Sequence, residues 1–122
     1  MPSSRPIDRL RDIVTKSDSI LRYTAGMDFE SYVTDQKTKD AVERCWQRIG
    51  EASCKLGDYL DEAYPGVDWE GARGVGNILR HQYDDWGDLD CWKSILDDAP
   101  KLRQAALDEI ERLENPPSVP GG

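Results

Sequence analysis

Apolar residues recur along this chain at spacings of three and four, the period of one helix face, and nowhere alternate as a half-buried strand would. Ile7, Leu10, Ile13, Val14, Ser17, Ile20 and Leu21 make one such stripe and predict a first helix from Pro6 to Tyr23. Pro6 suits a first helical turn and Gly26 ends the element. A short turn of helix is expected from Asp28 to Val33. Asp35 or Thr38 can then cap a helix that carries Ala41, Val42, Cys45, Trp46, Ile49, Ala52, Ser53 and Leu56 inward, and Gly57 ends it or loosens its last turn. Tyr59, Leu60, Ala63 and Tyr64 predict a short fourth piece before Pro65-Gly66 breaks the chain.

Asp68 is placed to cap a helix from Trp69 to about Asp84. Gly71, Gly74 and Gly76 weaken it by about 1 kcal/mol each relative to Ala. Such a cost implies close packing, ligand approach or dimer contact. Asp88 is expected to cap the last helix, striped by Leu89, Trp92, Ile95, Leu96, Leu102, Ala105, Ala106, Ile110 and Leu113. Pro100 falls inside that stripe and predicts a kink or break. The reading is all-α: an up-and-down bundle of four to five helices over residues 1–114, then a disordered tail over residues 115–122.

Composition narrows the setting. At 122 residues the chain supports one domain with one core. No apolar run approaches the ~20 residues of a membrane-spanning helix. The opening Met-Pro-Ser-Ser-Arg-Pro has no apolar signal core, so a cytoplasmic protein is expected. Cys45, Cys54 and Cys91 are odd in number and form no Cys-x-x-Cys pair; they read as small buried hydrophobes in a reducing compartment. The formal net charge of −8 repels phosphate backbones at long range, so nucleic-acid chemistry would need a local basic pocket, and DNA is not an expected partner.

The stretch "GNILRHQYDDWGDLDCW", residues 76–92, holds the only histidine. Trp69 followed by Asn77-Ile-Leu-x-His81-x-Tyr83, an acidic turn and Trp92 resembles the signature of the HepT-like ribonucleases of the HEPN superfamily. "ILRYTAGMDFESYVTDQKTKDAVERCWQRIGEAS" resembles that family's first half, and "YPGVDWEGARGVGN" its run into the motif helix. The resemblance implies a dimeric HEPN-like helical bundle. It also implies a metal-independent endoribonuclease toxin without a cofactor, paired with a minimal nucleotidyltransferase antitoxin.

In the family's Arg-x4-His-x-Tyr motif, His is the acid/base group that activates the ribose 2′-hydroxyl, and Arg stabilises the pentavalent phosphate. Carried over, His81 takes the first role and Asn77 matches the polar residue that follows the Arg. Tyr83 matches the hydroxyl to which the antitoxin attaches AMP. The Arg position itself holds Gly76. On a helix, Arg80 lies about 40° around from Gly76 and ~6 Å further along, and Arg73 about 60° around and ~4.5 Å back. Either guanidinium can reach the space Gly76 leaves, and its planar fork suits a phosphate. Arg80, beside His81, ranks first and Arg73 second.

Plainer readings stand beside these. A lone histidine near a helix end is commonly structural, and a tyrosine at a core edge commonly bonds backbone. Trp46, Trp69 and Trp92 read as core aromatics, and Trp86 as exposed. Asp84, Asp85, Asp88 and Asp90 lack the ligand spacing of a calcium loop and read as a solvated turn with a helix cap. Gly76 and the acidic charge also suit a degenerate module that only binds a nucleotidyltransferase. A helical bundle with another ligand has no residue arguing for it.

Overall fold

The computed structural model of the chain describes residues 5–74 and 87–115. Among them the regular structure is helical: α1 (Pro6–Tyr23), α2 (Phe29–Val33), α3 (Gln36–Leu56), α4 (helical residues 69–74) and α5 (Asp88–Glu114). The long helices form the body, with α1 packed against both α3 and α5, while α2 bridges α3 and α5.

Local chemistry sets the boundaries. Pro6 stands in the first turn of α1, where its missing N–H is no loss. Asp28 and Ser31 cap α2 reciprocally, side chain to backbone in both directions. The Asp35 carboxylate accepts from the Thr38 N–H at 3.0 Å and starts α3. Gly57, at φ 73°, ends α3 in the left-handed region that a side chain would strain.

The core is the sum of the inward stripes. Leu10, Ile13 and Ile20 of α1 meet Val42, Trp46 and Ile49 of α3 and Ile95, Ala99 and Leu102 of α5, all buried. Burying each large aliphatic side chain contributes about 1.5–3 kcal/mol. Ser17, Ser53, Ala52, Ala105 and Ala106 are small and buried, which lets the long helices approach closely.

Several expectations change. Residues 57–63 form hydrogen-bonded turns, with Asp61 N–H donating to Asp58 O and Tyr64 N–H to Leu60 O, rather than a further helix. α5 runs through Pro100 without a break. Pro100 is exposed, so the Leu96 carbonyl that loses its donor faces the wet side of the helix. Gly87, not Asp88, is the N-cap of α5; Asp88 enters its first turn and pairs instead with Lys39. Leu89, Leu96 and Leu113 are exposed, because the buried line of α5 runs through Cys91, Ile95, Ala99, Leu102 and Ala106. Cys54 is exposed too, while Cys45 and Cys91 are buried as expected.

One buried charge was not foreseen. Glu109 is 1% exposed. Its carboxylate accepts from Arg112 of the same helix and from the hydroxyls of Tyr59 and Tyr64 in the turn after α3. The guanidinium and the two phenols hold Glu109 below the ordinary carboxylate range, and burial beside it pushes both phenols up to about 12. Thus α5 anchors the connection that leads into α4.

Candidate active site

Arg73 is the predicted site residue among the described residues. His81, Arg80, Asn77 and Tyr83 lie outside them, as do Gly76, Asp84, Asp85, Trp86 and the tail over residues 116–122. The described geometry is that of the two flanks of residues 75–86.

On the N-terminal flank, Asp68 caps α4, its carboxylate accepting from the Gly71 N–H at 2.9 Å. A Cβ on Gly71 would collide with that carboxylate, whereas one on Gly74 would meet open space among the described residues. The close approach expected of the glycines is therefore, at Gly71, the helix's own cap. Trp69 is buried and donates its indole N–H to the Tyr64 carbonyl at 3.2 Å; Ala72 is buried beside it.

Arg73 is held by the same connection. Its guanidinium makes a two-pronged pair with Asp61, at 3.0 and 2.8 Å, and donates to the Gly57 carbonyl at 2.9 Å. Asp61 is held below the ordinary carboxylate range by this fork, and Arg73 is raised by the carboxylate in turn. The Cys54 thiol reaches the Arg73 carbonyl at 3.5 Å. Arg73 is thus a clamp between α4 and the end of α3, with its fork directed at a carboxylate of its own chain.

The C-terminal flank is fixed at the opposite end of α3. Lys39 pairs with Asp88 at 3.1 Å and also donates to the Val33 carbonyl. Below it the Tyr32 hydroxyl and the Cys91 thiol lie 3.0 Å apart, both buried, and Trp92 packs tilted on Tyr32 at 5.3 Å between ring centres. Burial raises both groups, the thiol to about 11, so neither is a nucleophile near neutral pH. Trp46, Trp69 and Trp92 take the packing roles expected of them.

The partners of Arg73 and Glu109 were missed in the sequence. Asp61 stands twelve residues from Arg73 in a connection with no regular period, so no local spacing marks the pair. Glu109 left a usable signal: it lies three and four places beyond Ala106 and Ala105, on the apolar stripe, where a charge needs partners.

Comparison with known proteins extends the picture. The family model described as ribonuclease HepT-like matches residues 10–108. A Methanocaldococcus jannaschii protein named a putative RNase is 31% identical over 105 residues, 86% of this chain and 90% of its own. Another from that organism, with the same description, is 30% identical over 78% of this chain and 87% of its own. A Thermococcus cleftensis protein named probable ribonuclease HepT is 30% identical over 79% of this chain and 87% of its own. No solved structure matches.

Proposed function

This chain belongs to the ribonuclease HepT-like family, and on that premise we propose that it is an endoribonuclease that cuts RNA by 2′-hydroxyl attack, without a metal. The observation that carries the reading is the family match over residues 10–108, which spans Asn77, His81 and Tyr83 in their motif spacing. His81 takes the ribose 2′-proton; the oxygen attacks the adjacent phosphorus; the bond to the 5′-oxygen breaks and that oxygen is protonated. The products are a 2′,3′-cyclic phosphate and a 5′-hydroxyl end. An imidazole suits both proton transfers because its ordinary pKa of ~6.5 lies near working pH.

The transferring phosphate needs a cation where Gly76 stands. Arg80 takes that role in this reading. The Asp61 pair and the Gly57 contact of Arg73 support the choice, since a guanidinium already forked onto a carboxylate is not free to grip a phosphate. The protein acts as a homodimer whose cleft joins both copies of His81. It serves as a cytoplasmic toxin neutralised by a minimal nucleotidyltransferase, with Tyr83 as the AMP acceptor.

Purified chain incubated with RNA should give cyclic-phosphate ends, and His81→Ala should remove that activity, together with growth arrest on expression in a bacterial host. Equal behaviour of wild type and His81→Ala would sink the nuclease reading. It would favour the second one, a non-catalytic module that binds a nucleotidyltransferase, for which Gly76 and the engaged Arg73 speak. Protein purified with that partner should gain mass in AMP increments, and Tyr83→Phe should not.

A further inference from the structure

We propose that the groove between α1 and α3 is a track for the ribose-phosphate backbone of an RNA strand, a proposal that rests on the ribonuclease reading. The groove has a volume of about 300 Å³ and is lined by Arg9, Asp12 and Lys16 of α1 and by Arg48, Glu51 and Lys55 of α3. Each helix presents the same order, cation, carboxylate, cation, at relative positions 0, 3 and 7, so each triple lies along one helix face.

The charges in the groove are not balanced. Arg9 pairs with Asp12 at 3.3 Å and Arg48 with Glu51 at 3.9 Å. Among the described residues, neither Lys16 nor Lys55 has a carboxylate within ion-pair distance. Two ammonium groups are left over in a chain whose formal net charge is −8. This meets the requirement set by that acidity: nucleic acid can bind such a chain only at a local basic pocket.

The arrangement suits a strand better than a single anion. Residues 9–16 of α1 share the groove with residues 48–55 of α3. α1 runs antiparallel to α5, with Arg11 paired to Glu114 and Asp18 to Arg103. α3 runs parallel to α5, with Lys39 on Asp88 at the start and Tyr59 on Glu109 just past the end, so α1 and α3 are antiparallel. Arg9 therefore lies toward Lys55, and Lys16 toward Arg48. The two cationic ends are separated by seven residues of helix, about 10 Å. A strand laid along the groove places phosphates at the ends and sugars over the middle, where Asp12 and Glu51 can accept hydrogen bonds from 2′-hydroxyls. Those donors are what DNA lacks. The Lys55 end of the groove adjoins the contact between α3 and α4: Cys54, beside Lys55, meets the Arg73 carbonyl.

The test uses the full chain in the His81→Ala background, so that single-stranded RNA stays intact, and measures affinity by fluorescence anisotropy across a range of salt. Lys16→Ala/Lys55→Ala should weaken binding at least tenfold and lower the slope of log affinity against log salt by about 1.4, two phosphate contacts on a single strand. Lys16→Arg/Lys55→Arg should keep wild-type affinity, and Lys93→Ala/Lys101→Ala on α5 should change nothing. A DNA of the same sequence should bind more weakly, and Asp12→Asn/Glu51→Gln should narrow that difference. Matched melting temperatures separate lost charge from lost fold. Unchanged RNA affinity and slope in the double alanine variant overturn the proposal; if binding of a partner protein is lost instead, the groove belongs to an acidic protein surface. A wild type that cuts RNA while the groove variants cut equally well removes this proposal alone. A wild type that neither binds nor cuts RNA removes both it and the ribonuclease reading.

Discussion

Arg73 donates to Asp61 and to the Gly57 carbonyl at once, so its removal breaks a structural clamp before it touches any chemistry. With Asp61 over a third exposed, solvent screening reduces the pair, and Arg73→Ala should lower stability by about 1 kcal/mol. Thermal melting should show this as a fall of about 3–5 °C, with residual RNA cleavage retained. Arg80→Ala should do the reverse, leaving melting almost unchanged and cutting the rate by about 100-fold, the scale of one lost phosphate-stabilising contact. A greater loss of cleavage in Arg73→Ala than in Arg80→Ala would reverse the assignment. Sequence spacing placed both arginines on one side of Gly76. It could not reveal that one of them was already spoken for by a carboxylate in the preceding connection.

At the scale of elements, the helices carry two kinds of irregularity with opposite consequences. Gly71 cedes its Cβ space to the Asp68 carboxylate that caps α4. Gly74 has open space around it among the described residues. Gly74→Ala should therefore stabilise the protein by up to about 1 kcal/mol, while Gly71→Ala should destabilise it by disturbing the cap. Urea unfolding of the two variants checks the signs; a stabilising Gly71→Ala would mean that the cap contributes little. The caps at Asp35 and Asp68 were legible because they depend on local hydrogen bonds within three residues. The passage of α5 through Pro100 was not, because packing of Ala99 and Leu102 in the core outweighs the single backbone bond the proline removes.

For the molecule as a whole, acid should act first through Glu109. Its folded-state pKa lies below the ordinary 4.5, so the stability it contributes is fully present above about pH 4.5 and is lost as pH falls through the depressed value. Asp28, Asp35 and Asp61 are depressed as well and act in the same direction. Glu43 and Asp98, raised by burial, oppose them. Melting temperature should fall as pH drops below about 4.5, and Glu109→Gln should be less stable at neutral pH but flatter over that acid range. A wild type and a Glu109→Gln variant with parallel pH profiles would show that the carboxylate contributes no charge-dependent stability. This acid sensitivity originates in tertiary structure: Tyr59 and Tyr64 come from the connection after α3, and Glu109 from near the end of α5.

Periodicity and capping by themselves determined the all-helical class, the bounds of α1, the approximate places of α2 and α3, and most of the inward stripe, because these depend on contacts between near neighbours. The motif spacing carried the family. Three-dimensional structure alone decided that Arg73 faces Asp61, that Glu109 is buried among two phenols and a guanidinium, and that the cations of α1 and α3 line one groove. Each of these joins residues from separate elements, and only the packing of those elements brings them together.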